Sequence, residues 1–320
     1  MTADVIPRPN VNTLVAPTLE HVVGQKKPVA VLRTAIDAYF HDRSKTSDEL
    51  AFPHLLLTGP GGTGKTLLSE IVSREVAGNF HSELAQNLKS PEHVRGLLMM
   101  LEPGDILFVD ELHELPTASA IALYRAMEEG LLFLGRKHVV HLPPFCLIGA
   151  TTHEHLLASS LRQRFRILLR LSHYSDDEMF ELLRQRAKRL GWVIEDEAVR
   201  QLAGKSRGVA RLGVRLLESS RRTASAEGTD AITLAHIGRM CEIEGIDSLG
   251  LDAIERRYLE ILREGEGPVR LNLIQASLGL PRQSVEMFEE DFLRLGLISK
   301  SEKGRMLTAK GFEHLAGTAP

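Results

Sequence analysis

Cysteine is scarce in this chain: Cys146 and Cys241 are the only two in 320 residues, and they do not stand in a C-x-x-C spacing. That scarcity argues against a disulfide framework or a cysteine-ligated zinc site, and for a reducing compartment. No apolar run approaches the ~20 residues of a membrane span. The first residues lack the basic-then-apolar pattern of a secretory signal. A cytoplasmic protein with no membrane partner is expected. Neither sign of charge is in excess, since 39 Lys and Arg face 42 Asp and Glu for a net charge of −3. Bulk attraction to nucleic acid is therefore absent, and any DNA contact must come from local basic clusters. The length suits two or three domains, and a hydrophobic share of 43% is ordinary for a globular protein.

Against that plain background one stretch stands out. The apolar run His54-Leu55-Leu56-Leu57-Thr58 leads into Gly59-Pro60-Gly61-Gly62-Thr63-Gly64-Lys65-Thr66, and a helical pattern follows from Leu67. This is G-x-x-x-x-G-K-[ST] between a strand and a helix, the context that gives the motif its meaning. Gly59, Gly61, Gly62 and Gly64 let backbone N–H groups turn inward, and with Thr63 they form a nest for phosphate oxygens. The helix N-terminus adds positive potential at the same place. Lys65 is expected to reach the β- and γ-phosphates, and Thr66 to ligate Mg²⁺.

A second buried run, Asp105-Ile106-Leu107-Phe108-Val109, ends in Asp110-Glu111. A buried strand that delivers two carboxylates suits a Mg²⁺-dependent triphosphatase. Asp110 would hold the metal, through water, and Glu111 would orient or deprotonate the attacking water. His113 reads as a structural loop histidine. A third run, Phe145 to Ala150, delivers Thr151-Thr152, of which one can touch the γ-phosphate or the attacking water while Thr151 also reads as a simple cap. Arg162, Arg164 and Arg166 stand at alternate positions, a pattern that by itself means a solvated face.

The remaining chain gives the domain layout. Residues 1–18, with Pro7, Pro9 and Pro17, read as an extended arm, and residues 19–172 as the nucleotide-binding domain. Residues 173–246 read as four helices, the first capped by Asp176 or Asp177, with Arg211 at the start of the third. Residues 247–320 read as three helices and a hairpin, the layout of a winged helix. The third of these helices carries Glu286, Glu289, Glu290 and Asp291 on the side expected to be exposed, which would repel phosphates. Lys300, Lys303 and Arg305 on the wing are the DNA-contact candidates, and they would touch backbone without reading sequence.

This order resembles the RuvB family, the AAA+ motors of Holliday-junction branch migration, over residues 19–315. The segments that carry the resemblance are Val23-Gly24-Gln25, the phosphate loop, Leu107 to His113, Leu142-Pro143-Pro144-Phe145 into Gly149-Ala150-Thr151-Thr152, Leu161-Arg162-Gln163-Arg164-Phe165, and Lys303-Gly304-Arg305-Met306. The resemblance implies an α/β AAA+ P-loop ATPase core, then an all-α lid domain and a C-terminal winged helix. It implies ATP and Mg²⁺ as cofactors, Val23 at the nucleotide, Asp110 and Glu111 as the hydrolytic pair, and Thr152 as first sensor. Arg211 would be the second sensor, and Arg164 an arginine finger that enters the neighbouring subunit's site. A trans finger implies a homo-oligomer, a hexameric ring in this family, and a helicase-type motor on double-stranded or junction DNA in recombination and repair.

The chain also departs from the family pattern. Gly61 and Thr63 replace a Pro and a Leu, Arg166 replaces a Gly, and Ala210 replaces a Pro. The hairpin between Leu131 and Pro143 is several residues shorter than the one that docks RuvA, which argues against a RuvA-like partner. The competing expectation is a divergent RuvB-like ATPase that remodels a protein partner or serves a specialised DNA transaction without RuvA. A third, in which nucleotide only controls assembly, conflicts with intact Glu111 and Arg164.

Overall fold

The computed structural model describes residues 18–47, 49–134 and 138–317. Residues 1–17 of the expected arm and the Arg136-Lys137 tip of the hairpin lie outside the described residues. By its contacts the chain divides into two compact units, residues 1–191 with 208–215 and residues 192–207 with 216–320. This division differs from the boundaries read at 172/173 and 246/247. The first helix expected in the lid and the start of the third, residues 208–215, belong to the first unit, and the rest of the lid is grouped with the C-terminal region.

In the first unit the elements run α1 (Lys26–Arg43), β1 (Leu55–Thr58), α2 (Lys65–Val76), β2 (Phe80–Leu84), α3 (Pro91–Leu98), β3 (Ile106–Asp110) and α4 (Thr117–Glu129). There follow the hairpin β4 (Leu131–Leu134) and β5 (His138–His141), then β6 (Cys146–Thr151), α5 (Ser159–Arg162), β7 (Ile167–Arg170) and α6 (Asp176–Arg189). Five strands pair in parallel in the order β2-β3-β6-β1-β7. The three central strands are continuous apolar runs because a parallel sheet is covered on both faces. Successive side chains then enter opposite cores. Leu55, Leu57, Ile106, Phe108 and Ile148 pack with α1 and α2, while Leu56, Leu107, Val109 and Leu147 pack with α3 and α4. Edge strand β2 fully buries none of its residues and β7 only Leu169, so they carry no run that the sequence could announce. The alternating arginines lie neither on one strand nor on one helix: α5 ends at Arg162, and 163–166 connect it to β7. Helix α6 is capped by Ser175, not by Asp176 or Asp177. Ser175 Oγ accepts from Glu178 N, and Glu178 Oε2 accepts from Ser175 N, a reciprocal capping box.

The second unit contains β8 (Val193–Ile194), α7 (Asp196–Lys205), most of α8 (Ala210–Ala226), β9 (Ala231–Ile232) and α9 (Leu234–Glu244). It continues with α10 (Ala253–Glu264), α11 (Leu271–Leu278), α12 (Arg282–Leu295), the wing strands β10 (Ile298–Ser301) and β11 (Gly304–Leu307), and α13 (Ala309–Gly317). Tyr258, Ile274, Val285, Phe292, Leu297 and Leu307 close the winged-helix core.

Two expectations about charge in the winged helix need correction. Glu289 is not on the exposed side of α12; its side chain is only 2% exposed. Arg305 is turned inward to meet it, with Nε 2.7 Å from Glu289 Oε1 and Nη2 3.0 Å from Oε2. The hydroxyl of Tyr258 donates to the same carboxylate at 3.1 Å. A buried carboxylate needs such partners, and they take the guanidinium away from the surface. Burial pushes the Glu289 carboxyl up, but the hydrogen bonds from Arg305 and Lys300 more than offset it and hold it below the usual range. Lys300 remains half exposed with Nζ 3.1 Å from Glu289, and Lys303 is exposed at the turn of the wing.

Candidate nucleotide-hydrolysis site

Strand β1 ends in the phosphate loop, where Gly59, Gly62 and Gly64 all have positive φ, at 139°, 72° and 103°. A side chain at Gly59 would stand 2.4 Å from the Leu171 carbonyl oxygen, and one at Gly62 would stand 3.0 Å from Arg211 Cβ. Gly61 faces open space. Thr63, where a Leu was the family expectation, is fully buried, and its hydroxyl donates to Pro60 O at 2.8 Å. The Tyr174 hydroxyl donates to Thr63 O at 3.0 Å and so fixes the loop from outside. Burial raises the Tyr174 pKa to about 12, so this donor stays protonated across the ordinary pH range. Tyr174 belongs to no motif visible in the sequence.

Lys65 opens α2 with Nζ 2.7 Å from Gly59 O and 2.9 Å from Pro60 O. Burial lowers its pKa, partly countered by the carboxylates of Glu111 and Asp110 and reinforced by Arg211. A buried ammonium bonded to the carbonyls of a glycine loop that opens a helix fits a phosphate group. Thr66, second in the helix, is placed to add a hydroxyl ligand for a divalent cation.

Asp110 ends β3, next to β6 in the sheet. Its Oδ1 accepts from Glu111 N at 2.9 Å. Glu111 adopts the left-handed conformation with φ 47°, a strained arrangement for a side chain with a Cβ. Its Oε2 accepts from Thr152 N at 3.2 Å and from Thr152 Oγ1 at 3.0 Å. Thr151, the last residue of β6, is fully buried. Its hydroxyl accepts from His153 N and faces His113 Nδ1, each at 3.0 Å. The two threonines thus separate: Thr151 organises the turn, and Thr152 meets the carboxylate. His113 Nδ1 also lies 3.3 Å from Glu111 Oε2, so the loop histidine is nearer the carboxylate pair than its sequence position suggested. Burial lowers its pKa, against the pull of Glu111.

Val23 is half buried in the turn before α1, where Gln25 ties that turn to the segment just after β7 by accepting from Ser172 N and donating to Ser172 O. Arg211 is the second residue of α8 and reaches the loop through the Gly62 contact.

Arg164 is elsewhere. It lines a cavity of about 540 Å³ with Phe52, Pro53, His54 and Glu128, at the start of β1, whereas the phosphate loop begins at its end. The strand alone separates the two by about 13 Å. Its guanidinium donates to Glu128 Oε2 from Nη2 at 2.6 Å and from Nε at 3.2 Å, and to Ser160 O from Nη1 at 3.0 Å. It also lies over the Tyr124 ring, 5.4 Å from the centroid. Glu128 and Tyr124 are site neighbours that no sequence motif announced. Among the described residues no cluster of His, Cys, Asp and Glu forms a further metal site, and no helix is long and apolar enough to cross a membrane.

Comparison with known proteins gives a consistent picture. Residues 14–171 match the family model of the Holliday junction DNA helicase RuvB P-loop domain, and residues 248–316 match the RuvB C-terminal winged helix domain. The chain is 36% identical over 313 residues to the Holliday junction branch migration complex subunit RuvB of Kosmotoga olearia, covering 95% of this chain and 90% of that one. It is 35% identical to the subunit of the same name from Limosilactobacillus reuteri, over 95% of this chain and 91% of that one. Among solved structures, the Thermotoga maritima RuvB Holliday junction branch migration motor superposes with a TM-score of 0.83 at 33% identity, covering 95% of this chain and 99% of that chain.

Proposed function

Because the chain belongs to the RuvB family, nucleotide-binding ATPases of helicase type, we propose that it is an ATP-hydrolysing ring motor that drives Holliday-junction branch migration in the cytoplasm. The observation that carries this reading is the Asp110–Glu111 pair at the tip of β3, with Glu111 bonded to Thr152 and Lys65 held in the loop beside them.

The residues divide the work by position. Lys65 and the loop amides would bind the triphosphate of ATP, and Thr66 and Asp110 would hold Mg²⁺, directly and through water. A bound Mg²⁺ supplies neutralisation of the charge that develops on the phosphate oxygens. Glu111 would orient and deprotonate the attacking water, and Thr152 would report the state of that carboxylate. Arg211 would close on the phosphates from the start of α8, and Val23 would border the nucleotide.

Arg164 supports a composite site. It sits at the opposite end of β1 from its own phosphate loop, so its target is a neighbouring subunit's nucleotide, as a ring of identical chains provides. We take that ring as hexameric. For duplex or junction DNA, the exposed Lys303 and the half-exposed Lys300 are the backbone contacts on the wing, and Arg305 supports the wing from inside. A RuvA-like partner is not part of this reading, given the short hairpin.

The test is ATP turnover and strand exchange with a synthetic four-way junction. Stimulation of ATPase by duplex or junction DNA, with ATP-dependent migration of the branch point, is the expected result. Turnover indifferent to DNA, together with a junction that never migrates, would overturn the motor reading.

A further inference from the structure

The second unit holds a buried ion pair that the hydrolysis site does not use. Arg207 follows the end of α7 in the left-handed conformation, φ 51°, and its side chain is 8% exposed. Its Nη1 donates to Glu255 Oε1 at 2.7 Å and its Nη2 to Glu255 Oε2 at 3.3 Å, a fork across to α10. Nη1 also lies 3.5 Å from Asp291 Oδ2 on α12. Its buried Nε has no hydrogen-bond partner, so the guanidinium is held by these carboxylates at a cost in desolvation.

The same end of α7 is tied to the linker that precedes the winged helix. Lys205 Nζ donates to Asp247 O at 2.6 Å. Gly250 approaches so closely that a Cβ there would stand 2.0 Å from Lys205 O. Asp247 itself accepts from Leu249 N and Leu251 N, and its Oδ2 lies 2.8 Å from His314 Nε2 on α13. The segment at the 246/247 domain boundary is thus held by α7 on one side and α13 on the other.

What makes this more than packing is where the chain goes next. It passes from the second unit to the first between Arg207 and Gly208. Gly208 O accepts from Tyr174 N at 2.9 Å, and Val209 and Arg211 abut Gly62 of the phosphate loop. Only three residues, Gly208 to Ala210, therefore lie between the phosphate loop's contact at Arg211 and the winged helix's contact at Arg207. Any shift of Arg211 that followed nucleotide binding would have to pass along this short segment before it reached Arg207.

We infer that Arg207, fixed by Glu255 and Asp291, is the positioning residue that couples the nucleotide site to the winged helix, so that it sets how strongly DNA stimulates ATP turnover without contacting either ligand. This rests on the motor reading above. A pair that only stabilises the fold would leave the ratio of DNA-stimulated to basal turnover unchanged in any variant that folds.

The experiment measures that ratio in the full-length chain, with duplex affinity alongside. Glu255→Gln removes the charge but keeps an acceptor for the capping bond from Asp252 N, so α10 retains its start. Arg207→Lys keeps the charge but loses the fork. Both variants should keep basal turnover and duplex affinity while stimulation falls about fivefold. Arg257→Gln, which breaks an exposed pair with Glu264 on the same helix, should leave the ratio intact. Unchanged stimulation in both Arg207→Lys and Glu255→Gln, a parallel fall in basal and stimulated rates, or loss of duplex binding would each overturn the coupling role while the motor reading stands. A parent chain that DNA does not stimulate overturns the motor reading, and the coupling role with it.

Discussion

Glu111 and Thr152 are joined twice: one carboxylate oxygen of Glu111 accepts from the Thr152 amide at 3.2 Å and from its hydroxyl at 3.0 Å. A carboxylate held by both groups of one residue has a fixed orientation at the tip of the strand. Glu111→Gln should therefore lower kcat by about 10²-fold or more while nucleotide affinity stays near that of the parent. Thr152→Val should lower kcat less and leave KM for ATP alone. Single-turnover hydrolysis with a nucleotide-binding titration checks both. Equal loss of binding and turnover would show that these residues hold the nucleotide and do not act on the water.

The inward turn of Arg305 separates two effects on the wing. Lys303→Ala should weaken duplex binding and lower the slope of log affinity against log salt by about 1. Arg305→Ala should instead destabilise the winged helix by about 3 kcal/mol, because it leaves Glu289 buried without its main partner. Denaturation and salt-dependent binding distinguish the two. An Arg305→Ala chain that is fully stable but binds DNA poorly would restore Arg305 as a direct contact.

How much of this was legible in the sequence depended on burial and locality. The phosphate loop and the tips of β3 and β6 could be read because a fully covered parallel strand must be a continuous apolar run, and the glycines mark a loop with positive φ. The half-exposed edge strands β2 and β7 left no such trace. Nor could side-chain pairing across long sequence separations be read: the Glu128 partner of Arg164 is 36 residues away, and Glu289 turns Arg305 from surface cation to internal strut across 16. Charge on a helix face counts as exposed until the partner that buries it is known.

His54 gives a pH dependence with a definite sign. Its ring is half-buried just before β1, where Nδ1 accepts from Leu147 N at 2.9 Å, and desolvation lowers its pKa from 6.5 to about 4. The unfolded chain thus takes up a proton near pH 6.5 that the folded chain refuses until about pH 4. Stability from this group is complete above the unfolded value and is lost as pH falls through that window, by about 3 kcal/mol in all. Unfolding free energy measured against pH should show the slope of one proton there, and His54→Asn should lose it. An unchanged slope in the variant would contradict the assignment.

The proposed motor shares each hydrolysis site between two copies of the chain, with Lys65 on one side and Arg164 on the other. Lys65→Ala and Arg164→Ala should each be inactive, the finger's loss alone lowering kcat by about a thousandfold. In a mixed ring, a subunit carrying Arg164→Ala still binds nucleotide and can receive the intact finger of a Lys65→Ala neighbour. ATPase of the two variants mixed in equal amounts under assembly conditions is the most direct measurement. Turnover recovered to a substantial fraction of the parent rate is the predicted result. A mixture as inactive as its parts, in rings shown to contain both chains, would contradict the shared site.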